Sequence, residues 1–174
     1  MADRSDEFDA FVSACGPRLL RAAQLLTGDR HRAEDLLQDV LARTYVRWSR
    51  LDGAPEAYVR RGLLNGQRSW WRSRASTEVI SAAVPDRAGS YDLSADTVAQ
   101  DAVLRAMAGL TRRERSVVVL RFWLDLSEAA TAAELGIAPG TVKSTTSRAL
   151  TRLRASPHLA PPFPTDLPTT RSTR

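Results

Sequence analysis

The sequence predicts an all-α fold, two small helical domains joined by a linker, with a helix-turn-helix in the C-terminal one. Three observations carry that prediction. Apolar side chains recur at helical spacing through both halves of the chain, and no segment sustains the period-two alternation of a strand. The periodicity lapses over residues 75–95, where Ser, Gly, Pro and Asp gather. The run GIAPGTVKSTTSRALTRLR, residues 136–154, sets a glycine turn ahead of a proline-started amphipathic helix.

The elements follow in chain order. Residues 6–27 carry Phe8, Phe11, Val12, Leu19, Leu20 and Leu26 at helical spacing, with a kink or short break expected at Gly16 and Pro17. Gly28 ends that segment. A second amphipathic helix follows, its stripe made by Leu36, Leu37, Val40, Leu41, Tyr45 and Trp48. A third starts at Pro55, a favoured first-turn residue, and runs to Arg74. Beyond the 75–95 linker, helical spacing resumes from Asp96 through Val98, Val103, Leu104, Met107 and Leu110. Thr111 and Glu114 have capping-box spacing and open a helix through Val117, Val118, Leu120 and Phe122. A short helix over SEAATAAEL comes next, then the opening at Gly136. The domains are therefore expected at 6–74 and 96–155, with a Pro- and Thr-rich tail, 156–174, expected to be disordered.

Composition bounds the function. The 174 residues are 43% hydrophobic and 26% charged, an ordinary globular balance. A net charge of +5 favours a polyanionic partner such as nucleic acid. The single cysteine, Cys15, allows no intramolecular disulfide and reads as a small buried residue. His31 and His158 are far apart, with no Cys or acidic cluster at metal spacing, so no metal site and no cofactor are expected. No stretch is long and apolar enough to span a membrane, and the acidic N-terminus is unlike a signal peptide. These features predict a cytoplasmic protein without membrane insertion. Catalytic residues are not expected, since no carboxylate cluster or nucleophile–base set is present.

The helix beginning at Pro139 has two faces. Val142, Thr146, Ala149, Leu150 and Leu153 form the apolar side; Thr141, Ser144, Ser147, Arg148 and Thr151 form the other, with Lys143 at its edge. Lys143 is the only lysine in a chain that otherwise uses arginine, a bias that points, with the scarcity of Ile, to a GC-rich genome. No acid occurs from Pro139 to Arg154, so this face can approach phosphates and base edges without repulsion. The same pattern also suits a solvated helix in an unrelated bundle. Ala138 stands where a capping Ser or Thr is expected, at a cost of about 1 kcal/mol. Either Thr141 compensates, or a bound phosphate accepts from the free amides.

The stretch LTRRERSVVVLRFWLDLSEAATAAELGIAPGTVKSTTSRALTRLR resembles bacterial RNA polymerase sigma factors of the extracytoplasmic-function (ECF) group. AEDLLQDVLARTYVRW resembles the family's core-polymerase-binding helix, and PEAYVRRGLLNGQRSWWRSR its minus-ten-recognition segment. The likeness covers residues 6–154. It implies a sigma factor that binds core RNA polymerase and recognises and melts promoter DNA, and an anti-sigma factor is a further partner it allows. It implies that Asp35, Leu36, Gln38 and Asp39 bind polymerase, a face that on an isolated helix reads as a solvated acidic patch. It implies that Arg61, Asn65, Arg68, Trp70, Trp71 and Arg72 meet the melted element, one Trp serving as core and the other stacking on a base. Asn65 suits a base edge or a plain helix surface equally. Thr141, Lys143, Ser144, Thr145, Ser147 and Arg148 are then the residues for the upstream, minus-thirty-five element. Departures are Thr131 and Thr146, where larger aliphatics are usual, and Gly62 and Gly66, each costing about 1 kcal/mol in a helix interior. A stand-alone helix-turn-helix regulator is the competing reading; it gives no role to the Trp-Arg cluster or the acidic face.

Overall fold

The computed structural model describes residues 4–51, 53–77 and 95–159, with the side chains of all but 70–77 and 95–97. Among these residues every regular element is a helix: α1 (Arg4–Thr27), α2 (Arg30–Arg47), α3 (Pro55–Thr77), α4 (Ala95–Ala108), α5 (Arg112–Val118), α6 (Glu128–Leu135) and α7 (Pro139–Arg154). Short 3-10 and π turns extend α2 and α5, over Trp48–Arg50 and Val119–Trp123. Helices α3 and α4 reach into the expected linker from both sides, and its remainder, 78–94, lies outside the described residues, as does the tail from 160.

Helix α1 differs from expectation at Pro17. The helix is unbroken there. Proline removes one backbone bond, to the carbonyl of Ser13, but Ser13 and Pro17 are both exposed and water can replace that partner. The turns beyond bury Leu19, Ala22, Ala23, Leu25 and Leu26, at roughly 1.5–3 kcal/mol for each leucine, which outweighs the loss. At its end Gly28 takes φ +75°, a left-handed conformation that favours glycine, and donates to the Gln24 carbonyl. Asp29 then caps α2 by accepting from the Arg32 amide at 2.8 Å.

Helices α2 and α3 cross at the two glycines. A Cβ on Gly62 would stand 2.6 Å and 3.0 Å from the two methyls of Val40, and one on Gly66 would run into Leu36 Cδ1. The glycines weaken α3 as an isolated helix and permit this close approach. At the other end of α2, Phe8 and Phe11 pack on Tyr45 and Trp48 with centroid separations of 5.0–5.2 Å.

One apolar cluster runs through both halves of the chain, joining Leu26 of α1, Val40 of α2 and Leu63 of α3 to Met107, Leu110 and Leu120. A smaller cluster of Val117, Ala132 and Val142, with Leu135 and Ile137 against it, holds the helix-turn-helix together. One group of polar bonds between the halves is buried. The Leu26 carbonyl accepts from Gln67 Nε2 (2.7 Å) and from Arg115 Nη1 (3.3 Å), while Gln67 Oε1 accepts from Ser116 Oγ (3.2 Å). All three donors are buried, and burial lowers the Arg115 pKa.

The capping box of α5 forms as expected. Glu114 Oε2 accepts from the Thr111 amide and hydroxyl, both at 2.9 Å, and the Glu114 amide donates to Thr111 Oγ1. Arg152 of α7 adds a bond to the same oxygen at 3.2 Å. Burial pushes the carboxyl pKa up, but the Thr111 bonds, Arg152 and Arg148 together hold it below its ordinary 4.5. A depressed carboxylate stabilises the fold above its unfolded-state pKa and loses that contribution as pH falls through the folded value. Glu114→Gln is therefore expected to cost about 1–2 kcal/mol at neutral pH. The gap between variant and parent in urea unfolding should close as pH falls below 4.5.

Candidate nucleic-acid interface

The helix-turn-helix is built from local signals. Ser127 caps α6 by accepting from the Ala130 amide at 3.1 Å. Gly136, at φ 65° and ψ 41°, closes it in the left-handed region, and the Ile137 amide returns to the Ala132 carbonyl at 3.1 Å. Pro139 starts α7, and Ala138 before it supplies no side-chain cap. The Thr131 hydroxyl is fully buried without a hydrogen-bond partner, as is the Thr146 Oγ1 atom, so the two threonines that stand in place of larger aliphatics weaken this small core.

Helix α7 turns Lys143, Ser144, Ser147 and Arg148 to solvent, and Thr141 is half-buried at its first turn. Thr145 is a correction. It is 1% exposed, because it falls three residues after Val142 and four before Ala149, both fully buried, and so shares their stripe. It cannot reach a base edge. Its hydroxyl instead accepts from Arg148 Nη2 at 3.4 Å, beneath the exposed face.

On α3, Arg61, Asn65 and Arg68 are exposed at i, i+4 and i+7 and line one face, opposite buried Val59, Leu63 and Gln67. The side chains of Trp70, Trp71 and Arg72 lie outside those described. Arg61 and Arg68, though exposed, also have protein partners. Arg61 Nε lies 3.3 Å from Glu134 Oε2 on α6, and Arg68 Nη2 donates to the Leu135 carbonyl at 3.2 Å. Arg60, which the sequence reading passed over, donates to Glu134 Oε1 through Nη2 (2.7 Å) and Nε (3.1 Å). The doublet Arg60-Arg61 was its only signal in the sequence; the partner is 74 residues away.

On α2, Asp35, Gln38 and Asp39 are exposed. Leu36 is half-buried over Gly66 and contributes less surface than its neighbours. Cys15 is half-buried too; burial, then Glu56, raises its thiol pKa, against Arg18, which favours an unreactive side chain. Among the described residues no three His, Cys, Asp or Glu side chains gather as a metal requires, and no helix is long and apolar enough to cross a membrane.

A helical half with an exposed Arg/Asn face, followed by a helix-turn-helix with a cationic, acid-free outer face, defines a two-part DNA-binding transcription factor. Comparison with known proteins makes this specific. Residues 11–77 match the family Sigma-70 region 2, and residues 100–153 match Sigma-70, region 4. The chain is 44% identical over 151 residues to the RNA polymerase sigma-E factor of Streptomyces avermitilis, covering 85% of this chain and 83% of the relative. It is 42% identical to the sigma-E factor of Streptomyces coelicolor, over 85% and 84% of the two chains. It is 35% identical to the ECF RNA polymerase sigma factor ShbA of Streptomyces griseus, over 81% and 78%. Among solved structures, the sigma factor RpoE in complex with the anti-sigma factor NepR, from Bartonella quintana, is similar with a TM-score of 0.68 and 27% identity, over 89% of this chain and 99% of that one. CnrH in complex with the cytosolic domain of CnrY shares the fold, with a TM-score of 0.61 over 85% of each chain. The chain belongs to the RNA polymerase sigma factors, in the ECF group. Its role is promoter-specific transcription initiation, and it is not an enzyme.

Proposed function

We propose that this sigma factor docks on core RNA polymerase through α2, reads the upstream promoter element with α7 and binds the melted strand with α3. The observation that supports this division is the separation of three exposed faces: Asp35, Gln38 and Asp39 on α2, Arg61, Asn65 and Arg68 on α3, and Lys143, Ser144, Ser147 and Arg148 on α7. An acidic face complements a basic docking surface on polymerase, and cationic faces complement phosphate. Leu36 adds apolar area at the edge of the α2 face and Thr141 lies at the start of the α7 face; by residue type, Trp70 or Trp71 supplies a stacking ring and Arg72 a further cation for the melted strand. The chain works in the cytoplasm. An anti-sigma factor, the kind of partner seen with RpoE, is its natural antagonist.

Run-off transcription with purified core polymerase tests the whole reading: initiation from a responsive promoter should need this protein. The α2 assignment has its own test. Asp39 is exposed and its carboxylate is outside the apolar clusters, so Asp39→Arg leaves the fold intact. It is expected to weaken holoenzyme assembly by roughly tenfold or more, since like charges across an interface cost several kcal/mol. Co-purification with core at the parent level would remove α2 as the docking helix.

A further inference from the structure

Single apolar side chains left exposed are normal, but a contiguous patch of them marks a surface that something covers. Four of the large apolar side chains exposed among the described residues, Val103, Phe122, Trp123 and Leu159, gather around one groove of about 180 Å³, lined also by Met107 and Leu153. Every side chain lining it is apolar in character. The Trp123 indole N–H is already committed to the Arg18 carbonyl at 2.9 Å, so the groove offers carbon surface. The chain itself is steered back over it. After α7, Ser156, Pro157, His158 and Leu159 form a turn closed by the Leu159 amide on the Ser156 carbonyl at 3.2 Å, with proline where its fixed φ is favoured. The turn returns Leu159 to the groove, and residues 160–174 set out from that edge.

We propose that this groove is the docking site of the chain's own C-terminal segment APPFPTDLP, residues 160–168, with Phe163 as its anchor. Phe163 and Leu167 are the large apolar residues of 160–174, and no charge comes before Asp166. Pro161, Pro162 and Pro164 fix φ on both sides of Phe163, so docking it costs little conformational freedom. A Pro-rich segment laid over aromatic rings is a recurrent mode of recognition, and here Phe122 and Trp123 supply the rings. The tether favours this segment over a free ligand of the same chemistry. Phe163 is four residues past Leu159, a reach of at most roughly 14 Å, which sets its effective concentration on the order of millimolar. A contact with a dissociation constant in that range does not hold a separate peptide at micromolar concentration, yet is occupied about half the time within one chain. A partner that binds over Phe122 and Trp123 has first to displace the segment.

The test uses the full chain with the photoreactive residue p-benzoylphenylalanine in place of Phe163, irradiated at micromolar concentration and mapped by mass spectrometry. Cross-links within one chain to Val103, Met107, Phe122 or Leu153 are expected, and Phe122→Ser, at a position 56% exposed, should cut their yield severalfold. Cross-links scattered over the surface, or none, would overturn the docking. Cross-links between two chains that grow with concentration would assign the groove to a second copy and overturn it equally. A second measurement needs no label. Phe163→Ser lies beyond the helices and should shift the methyl NMR signals of Val103, Met107 and Leu153. A peptide of residues 160–174 added to that variant should restore them at about millimolar concentration. Unchanged methyl signals, or no recovery with the peptide, would show that Phe163 does not occupy the groove.

Discussion

Gly62→Val is expected to lower stability by about 2–3 kcal/mol, whereas Gly66→Ala should change it by less than about 1 kcal/mol. The contrast comes from what each new Cβ meets. At Gly62 it meets both methyls of Val40, a side chain 1% exposed, at 2.6 Å and 3.0 Å. A β-branched residue in a helix has essentially one χ1 rotamer, so neither methyl can leave without driving the other into the core. At Gly66 the obstacle is the far end of half-buried Leu36, which can swing outward, and the gain in helix propensity offsets that movement. Urea unfolding of the two variants measures the difference. Equal stabilities would show that the α2–α3 crossing is not tight. The crossing matters for function because it fixes the Asp39 face of α2 against the Arg61 and Arg68 face of α3.

Arg148→Ala is expected to cost about 1–3 kcal/mol in promoter binding, roughly ten- to a hundredfold, and to relax preference at one position of the upstream element. Lys143→Ala should weaken binding almost equally across sequences and reduce the salt slope by about one. The two cations differ in chemistry and in support. Lys143 is an exposed point charge on a flexible stem near the start of α7, suited to phosphate. Arg148 is a planar fork one turn further on, a shape suited to a guanine edge, and its Nη2 donates to buried Thr145. Holoenzyme binding to a randomised upstream element at several salt concentrations separates the two behaviours. If neither variant changes affinity, salt slope or preference, α7 is not the reader.

Much of this was legible without coordinates, for local reasons. The Thr111–Glu114 box, the Gly136 turn and the Pro139 start are short-range patterns whose partners lie within a few residues, and each forms as the sequence indicates. Arg61, Asn65 and Arg68 were singled out by the family resemblance alone; their place on one exposed face of α3 is read from the structure. What was not legible depends on distant residues. Pro17 is a helix breaker in isolation and is tolerated because the turns after it enter a core assembled from five other helices. The glycines of α3 read as weak helix formers until Val40 and Leu36 are placed against them. Thr145 read as a contact residue because a hydroxyl suits either environment, and only the packing of Val142 and Ala149 decides which side it takes. The ion pairs of Glu134 gave no sign in the sequence, since the arginines it holds precede it by more than seventy residues.

The bonds at the Leu26 carbonyl bear on how freely the two halves of such a protein can be recombined. That oxygen accepts from Gln67 in the first half and Arg115 in the second, and Gln67 in turn accepts from Ser116. A chimera that joins this first half to the second half of another relative would keep its DNA-reading helix yet leave Gln67 Oε1 buried without a donor, unless the newcomer also brings a hydroxyl at the Ser116 position. The reciprocal chimera would bury the Arg115 guanidinium against a foreign α1 end. Exchange of promoter specificity by grafting should therefore succeed with the exposed residues of α7 alone more readily than with the whole C-terminal half.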